Sequence, residues 1–312
     1  MTALAAPAPW RMQDGLRYGL LGLPLAFVAL PLYVILPHLY ARSFAVPLAA
    51  LGAVLLAARL FDAVLDPLIG RWTDRLFARS HRAVLAAGGA AAVVLALGLW
   101  GLLFPPAAAR ADASTVLVWA GVLMAITCAA YSVASVAHQT WGTRLGGSEA
   151  QRSRVSAWRE GLALVGVLTA AVLPGTLGLG ATVIAFAVLL ALGWWAWSGA
   201  VVPTVRAPLQ GYSMAQEAAR RSPRRPNNDC TPSGGQAQPG LGAKTSPLRQ
   251  PRFVRLLAVF VVNGTASAVP ATLVLFFVQD RLQAPARIEP AFLATYFLCA
   301  ALSLPLWVRL VP

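Results

Sequence analysis

The sequence predicts an all-α integral membrane protein with about eight spanning helices. Of its 312 residues, 58% are hydrophobic and only 12% are charged, whereas soluble chains average about 25% charged residues. The mean hydropathy is +0.66. The third observation is a series of eight apolar runs, each long enough to cross a bilayer. They lie near residues 17–40, 46–69, 83–104, 115–139, 157–177, 180–203, 254–279 and 290–310.

Basic residues between the runs predict which side of the membrane each loop faces. They concentrate after the second, fourth and sixth runs, whereas the opposite loops hold only Arg42, Arg110, Arg281 and Arg287. Cytoplasmic loops carry an excess of Lys and Arg, so we predict a cytoplasmic N-terminus. The expected location is a bacterial-type inner (plasma) membrane. The net charge of +14 is therefore a topology signal and does not indicate a nucleic-acid partner.

Residues 204–252 differ from the rest, since Pro, Gly, Ser and Gln dominate them. Such a composition predicts a disordered, basic cytoplasmic linker. It separates a six-helix bundle, residues 1–203, from residues 253–312, the first two helices of a second bundle. The segment ALPLYVIL at 29–36 also resembles AVPATLVL at 268–275. Parallel internal repeats are typical of transporters, and on that basis the second copy lacks four helices and the chain is expected to be C-terminally truncated.

The second run carries three ionisable residues within an apolar stretch. Arg59, Asp62 and Asp66 are spaced so that they share one face of a helix. Ionisable groups at membrane depth are costly and mark ion or substrate pathways. Two carboxylates one turn apart suit a small hard cation or a shared proton, with Arg59 as a competing charge. The alternative is a structural Arg–Asp network that holds helices together.

The fourth run ends in a stripe of polar side chains on an otherwise apolar helix. Its members are Tyr131, Ser132, Ser135, His138 and Gln139. Such a stripe indicates the lining of a substrate cavity, although serines also join membrane helices by hydrogen bonds. His138 is expected to relay protons or, more commonly for a histidine in this setting, to be a hydrogen-bonded structural residue.

Two further polar positions are candidates for the cavity. Arg159 opens the fifth run, where it either extends to the membrane surface or holds an anionic or hydroxyl-rich substrate. Asn263 lies with neighbouring hydroxyl residues in the seventh run.

The segment after the second run is a candidate gating loop. Gly70, Asp74, Arg75 and Arg79 are expected between the second and third helices. Asp74 can cap the third helix or meet another helix end, and the arginines hold the loop on the cytoplasmic side.

These residues carry a resemblance to a known family. Gly70, Asp74 and Arg75 resemble the loop signature of the major facilitator superfamily. Arg59-xx-Asp62-Ala-xx-Asp66-Pro, with Tyr131, Ser132 and Arg159, is similar to the glycoside–pentoside–hexuronide:cation symporters, a melibiose permease-like family. The resemblance implies a major facilitator-type bundle with about 8 of the usual 12 transmembrane helices present.

The resemblance also implies roles for individual residues. Asp62 and Asp66 match the family's cation-binding carboxylates, and Ser132 matches a hydroxyl ligand. Tyr131 and Arg159 match residues near the sugar pocket. No metal is implied beyond a sodium ion at Asp62 and Asp66.

The sequence departs from the family at several positions of the site. Leu65 stands where the family has an asparagine that assists cation binding, which leaves the proton as a candidate. Ala26 and Ser135 replace aspartates that hold the sugar, and Gln139 replaces a tryptophan. Galactosides held by two carboxylates are therefore not the expected cargo.

The sequence thus predicts a cation-coupled symporter of a sugar-like or other small organic solute, and not an enzyme. Its partners are the lipid bilayer and a small-molecule substrate, with no obligate protein partner and no cofactor besides the sodium or proton. The alternatives are a truncated fragment that no longer transports, a lysolipid-type symporter, and a membrane-embedded magnesium-dependent transferase.

Overall fold

A computed structural model of the chain describes residues 11–44, 46–146, 149–203, 250–283, 285 and 288–310. Regular structure in these residues is entirely helical. The chain divides into two compact units, one formed by Met1–Thr204 with Pro270–Pro312 and the other by Val205–Val269. Residues 204–249 of the predicted linker 204–252 fall outside the described residues. Its disorder and the domain boundaries therefore remain predictions.

The first pass through the membrane extends over Met12–Ser43 and is not a regular helix throughout. It consists of α1 (Met12–Gly19), α2 (Gly22–Leu30) and α3 (Leu36–Ser43), with a π-helical turn at Pro31–Ile35. Pro31 has no backbone N–H to donate, which loosens the helical ladder at this point. Turns of this kind occur frequently at functional sites.

The second predicted run, 46–69, corresponds to α4, which is Leu48–Arg79 and therefore ends ten residues later than predicted. At 1.5 Å per residue it is about 48 Å long. The expected gating loop is therefore helical, which corrects the prediction for Gly70, Asp74, Arg75 and Arg79. The chain leaves the helix only at Ser80, whose Oγ accepts a 3.1 Å hydrogen bond from Ala83 N and caps the next helix.

The next two helices form a closely packed pair. They are α5 (His81–Leu103) and α6 (Ala113–Arg144). Asp112 caps α6, since its carboxylate accepts hydrogen bonds from Thr115 N at 2.8 Å and from the Thr115 hydroxyl. Trp119 Nε1 donates to the carbonyl of Gly101 at 3.0 Å, which joins the two helices near this loop.

The predicted fifth and sixth helices form one helical run, α7 (Glu149–Ser198), interrupted at Gly178. Gly178 has φ 83° and ψ 172°, a conformation that glycine adopts without steric cost. The interruption splits the run into two passes. α2 packs along α7, which also contacts α1 and α5.

The last described helices are α8 (Pro251–Phe276), followed by a π-helical turn at Phe277–Arg281, and α9 (Glu289–Leu310). α9 packs against α7, where Pro290 approaches Gly175. Four described helical runs are long and apolar enough to cross a membrane, namely Met12–Ser43, His81–Leu103, Ala113–Arg144 and Glu149–Ser198.

We predict that Gly166→Ala destabilises the bundle. A Cβ at Gly166 would collide with the backbone carbonyl of Leu23 in α2, and overpacking of this kind costs about 1–3 kcal/mol. Thermal unfolding of the detergent-solubilised protein, followed by tryptophan fluorescence, should show a lower midpoint. Gly161→Ala is the matched control in the same helix, because nothing lies within 4 Å of its Cβ position. Equal midpoints for the two variants would contradict the α2–α7 packing.

A second prediction concerns the cap of α6. Hydrogen bonds from Ser114 and Thr115 lower the pKa of Asp112 to about 2. The ionised carboxylate therefore stabilises the fold above the unfolded pKa of about 4, and this contribution disappears as the pH falls through about 2. Asp112→Asn cannot ionise and lacks this contribution at every pH. Its unfolding midpoint should therefore lie below that of the unaltered protein above about pH 4, and the two midpoints should converge as the pH falls to about 2. Circular dichroism melts at graded pH measure the difference, and a constant difference would be inconsistent with this role.

Candidate functional site

The helices α4 and α6 pack side by side in parallel, and Asp62 of α4 adjoins Cys128 of α6 in their interface. At one end, a Cβ on Gly121 of α6 would lie 3.3 Å from Val54 of α4. At the other end, Arg144 pairs with Asp74 at 2.8 Å. Residues at the same height on the two helices therefore differ in number by about 67 to 70. This register brings Asp62 to the level of residues 129–132 of α6, directly after Cys128.

Asp62 lies partly buried in this helix interface. Its Oδ1 atom is fully enclosed and has no hydrogen-bond partner among the described residues. The carboxylate adjoins the Cys128 thiol and is close enough to Arg59 and Asp66 for electrostatic interaction. A buried polar atom without a partner costs about 1–3 kcal/mol, and more when the group is charged, so this oxygen is a candidate ligand for a cation.

Arg59 does not neutralise either carboxylate through an ion pair. Its guanidinium carbon lies 3.5 Å from the centroid of the Tyr33 ring, a cation–π contact. The Tyr33 hydroxyl is 3.9 Å from Cys128 Sγ. In the described part of the chain, salt bridges within 4.0 Å join other residues only. The structure therefore gives no support to a locked Arg–Asp network at this site.

Asp66 lies one turn further along α4 and is exposed. It is close enough to Tyr131 of α6 for electrostatic interaction. Ser132 lies one turn after Cys128, on the same side of α6. Ser132 is 9% exposed. The predicted cation-binding residues thus lie at two successive levels of the α4–α6 interface.

The predicted polar stripe of α6 is present, with one exception. Gln139 Nε2 donates a 2.9 Å hydrogen bond to Ser135 Oγ, and Ser135 is in turn a hydrogen-bonding neighbour of Tyr131. These three side chains follow one edge of the helix from the level of Asp66 towards its C-terminal end. They provide a line of hydrogen-bonding groups that a hydroxyl-rich solute can use.

His138 is the exception, because it is 1% exposed and lines no open space in this structure. Its Nε2 atom is 2.8 Å from the carbonyl oxygen of Tyr18, and the two rings stack at 4.5 Å between centroids. The Tyr18 hydroxyl donates in turn to the carbonyl of His138 at 3.2 Å. His138 therefore has the contacts of a hydrogen-bonded structural histidine, which corrects its placement in the cavity.

Arg159 belongs to this second group of polar residues. Its guanidinium pairs with Glu160 at 2.6 Å and interacts with Tyr18. The side chain is 27% exposed, so it neither points fully into solvent nor lies in the core. Asn263 lies on α8, in the unit Val205–Val269, and is exposed.

The residues expected to gate the cytoplasmic side lie on the last turns of α4. Asp74 pairs with Arg144, and the Arg144 guanidinium also lies 4.4 Å from the centroid of the Phe77 ring. Of the two alternatives for Asp74, the contact with another helix end is the one observed, because Ser80 provides the cap of α5. Arg75 and Arg79 are exposed, and Gly70 is partly exposed.

Two residues of the site, Tyr33 and Cys128, are not among those predicted from the sequence. Cys128 precedes Tyr131 by three positions and Ser132 by four, so extending the polar stripe of α6 by one turn would have included it. Tyr33 had no such signal, since its position beside Arg59 depends on the packing of the first pass.

Apolar helices long enough to cross a membrane, packed against one another, indicate a multi-pass membrane protein. The profile of the MFS/sugar transport protein family matches residues 17–312. The chain therefore belongs to this family of the major facilitator superfamily, which points to a transporter rather than an enzyme. A comparison with curated proteins finds no significant match.

We predict that Arg59 and Tyr33 stabilise each other. A double-mutant cycle of Arg59→Met and Tyr33→Leu, measured by thermal unfolding in detergent, should give a coupling free energy of about 0.5–2 kcal/mol. Tyr33→Phe keeps the ring and should retain most of the coupling. Additive effects of the two substitutions would show that the cation–π contact contributes nothing.

Proposed function

We propose that the protein is a cation-coupled secondary active symporter of a sugar-like or other small organic solute. Asp62 and Asp66 carry the coupling ion, sodium or a proton, and alternating access moves ion and solute together. One observation carries the proposal: two carboxylates share a helix face without an ion pair in the described part of the chain, and one of their oxygens is buried and unpartnered.

The energetic argument is that such carboxylates need a positive partner. Ionised carboxylates at membrane depth cost at least about 2.5–3.5 kcal/mol each, and like charges one turn apart repel. Arg59 is near, but its contact with Tyr33 directs the guanidinium to an aromatic face. A cation that binds reversibly supplies the positive charge that Asp62 and Asp66 lack. Its binding and release then link the charge of the site to transport.

The solute site is proposed beside the ion site. Tyr131, Ser135 and Gln139 form a hydrogen-bonding line that begins near Asp66. The family resemblance also assigns Arg159 to the solute site, although its guanidinium is paired with Glu160 beside Tyr18 in this structure; a guanidinium fork recognises a carboxylate or neighbouring hydroxyls. Such groups suit a hydroxyl-rich or weakly acidic solute, in agreement with the sugar transport family.

The orientation follows from the charges at the helix ends. The C-terminal ends of α4 and α6 meet at the Asp74–Arg144 pair, and the arginines of the predicted cytoplasmic loops follow these ends. By the positive-inside rule this side faces the cytoplasm. In a bacterial-type inner membrane, the N-terminus is then also cytoplasmic.

The test is ion movement driven by solute. The full chain is reconstituted into liposomes containing a pH-sensitive dye, with a sodium-sensitive dye in a parallel sample, and glucose, xylose and glucuronate are added singly. We expect one of these solutes to drive proton or sodium entry. Asp62→Asn should reduce this entry at least about tenfold, because the amide cannot carry the charge.

Asp14→Asn is the matched control. Asp14 is a carboxylate that accepts a 3.0 Å hydrogen bond from Arg11 N at the start of α1, a role that an amide also fulfils, so coupling should be unchanged. Undiminished ion entry in the Asp62→Asn variant would refute the proposed site. Ion entry that no added solute changes would refute symport of this solute class.

A further inference from the structure

We infer that Cys128 is a specificity-determining residue that makes the Asp62 site select against sodium and in favour of the proton. The inference rests on the proposed function, since it concerns the ion that Asp62 carries. The side chains that surround the Asp62 carboxylate come from three elements: the π-helical turn at Pro31–Ile35, α4 and α6.

The immediate neighbours of Asp62 offer few oxygens. From α6 comes the Cys128 thiol, from α4 come Arg59 and Asp66, and from the π-helical turn comes the ring of Tyr33. A guanidinium repels a cation, and a thiol is a soft ligand. Small hard cations are held by carboxylate, carbonyl, hydroxyl and water oxygens, whereas sulfur suits soft metals.

The Tyr33 hydroxyl is already engaged. Tyr33 directs its oxygen to Cys128 Sγ at 3.9 Å, while the guanidinium of Arg59 lies over its ring. A sodium ion beside Asp62 would therefore meet sulfur where it requires oxygen, close to a fixed positive charge. A proton forms one covalent bond to a carboxylate oxygen and needs no shell of ligands, so the same surroundings do not exclude it.

The next level of the interface provides an internal comparison. Ser132 follows Cys128 by one turn of α6 and carries a hydroxyl where Cys128 carries a thiol. Serine and cysteine differ by one atom. Cys128→Ser would therefore place hydroxyl oxygens at both levels, with little change in side-chain volume.

The test is equilibrium binding of radioactive sodium to the purified full chain in liposomes, for the unaltered protein, three single variants and one double variant. We expect the unaltered protein to show no saturable sodium binding that depends on Asp62. Cys128→Ser should bind sodium at least about tenfold more tightly, equivalent to about 1.4 kcal/mol. Cys128→Ala, which removes sulfur without adding oxygen, is the matched control and should not gain sodium binding.

The Asp62→Asn variant distinguishes failure of the inference about Cys128 from failure of the proposed cation site. Tight sodium binding by the unaltered protein that Asp62→Asn abolishes would overturn the role of Cys128 and leave the proposed cation site standing. Sodium binding by the Cys128→Ser variant that persists when Asp62→Asn is added would overturn both. No gain of sodium binding in the Cys128→Ser variant, with its unfolding midpoint unchanged, would also overturn the inference.

Discussion

The structure depends on the parallel packing of α4 against α6. An apolar helix that carries two carboxylates and a guanidinium cannot expose all of them to lipid. The neighbouring helix must therefore present groups that tolerate charge, and α6 does so with Cys128, Tyr131, Ser132 and Ser135. The Asp74–Arg144 pair holds the ends of the two helices together, so that the polar levels between them stay in register.

The distribution of charge in the bundle follows from the cation–π contact of Arg59. Had the guanidinium paired with Asp62, that carboxylate would belong to a structural ion pair and would not need a mobile cation of its own. Its position over Tyr33 keeps a positive charge nearby without satisfying either carboxylate. The second polar group, around Tyr18 and His138, has the opposite character. Its histidine is hydrogen-bonded and enclosed, which makes it part of the scaffold.

Interruptions of the helices determine where the chain can present these groups. The π-helical turn after Leu30 contains Tyr33, so the ring that supports Arg59 lies where the backbone ladder is irregular. Gly178 divides α7 into two passes, and the first of these presents Gly166 to the backbone of α2. Close approach of α2 and α7 fixes the first pass, and with it Tyr33, relative to the rest of the bundle.

The membrane class, the position of the apolar runs and the spacing of Arg59, Asp62 and Asp66 could be predicted from the sequence. These features are local, because hydrophobic length and helical periodicity depend on neighbouring residues. Helix ends were less predictable. α4 continues through Gly70 and Asp74 and ends only before Ser80, which caps the next helix. Between the predicted fifth and sixth helices, the single residue Gly178 takes the place of a loop.

The sequence by itself determined that ionisable groups lie on one face of an apolar helix, since spacing alone places them there. Only the tertiary structure decided that Arg59 contacts Tyr33 and that Cys128 adjoins Asp62. It also decided that His138 is enclosed by Tyr18. The physical reason is that each of these contacts joins residues far apart in the chain, so its existence depends on how the helices pack and in which register.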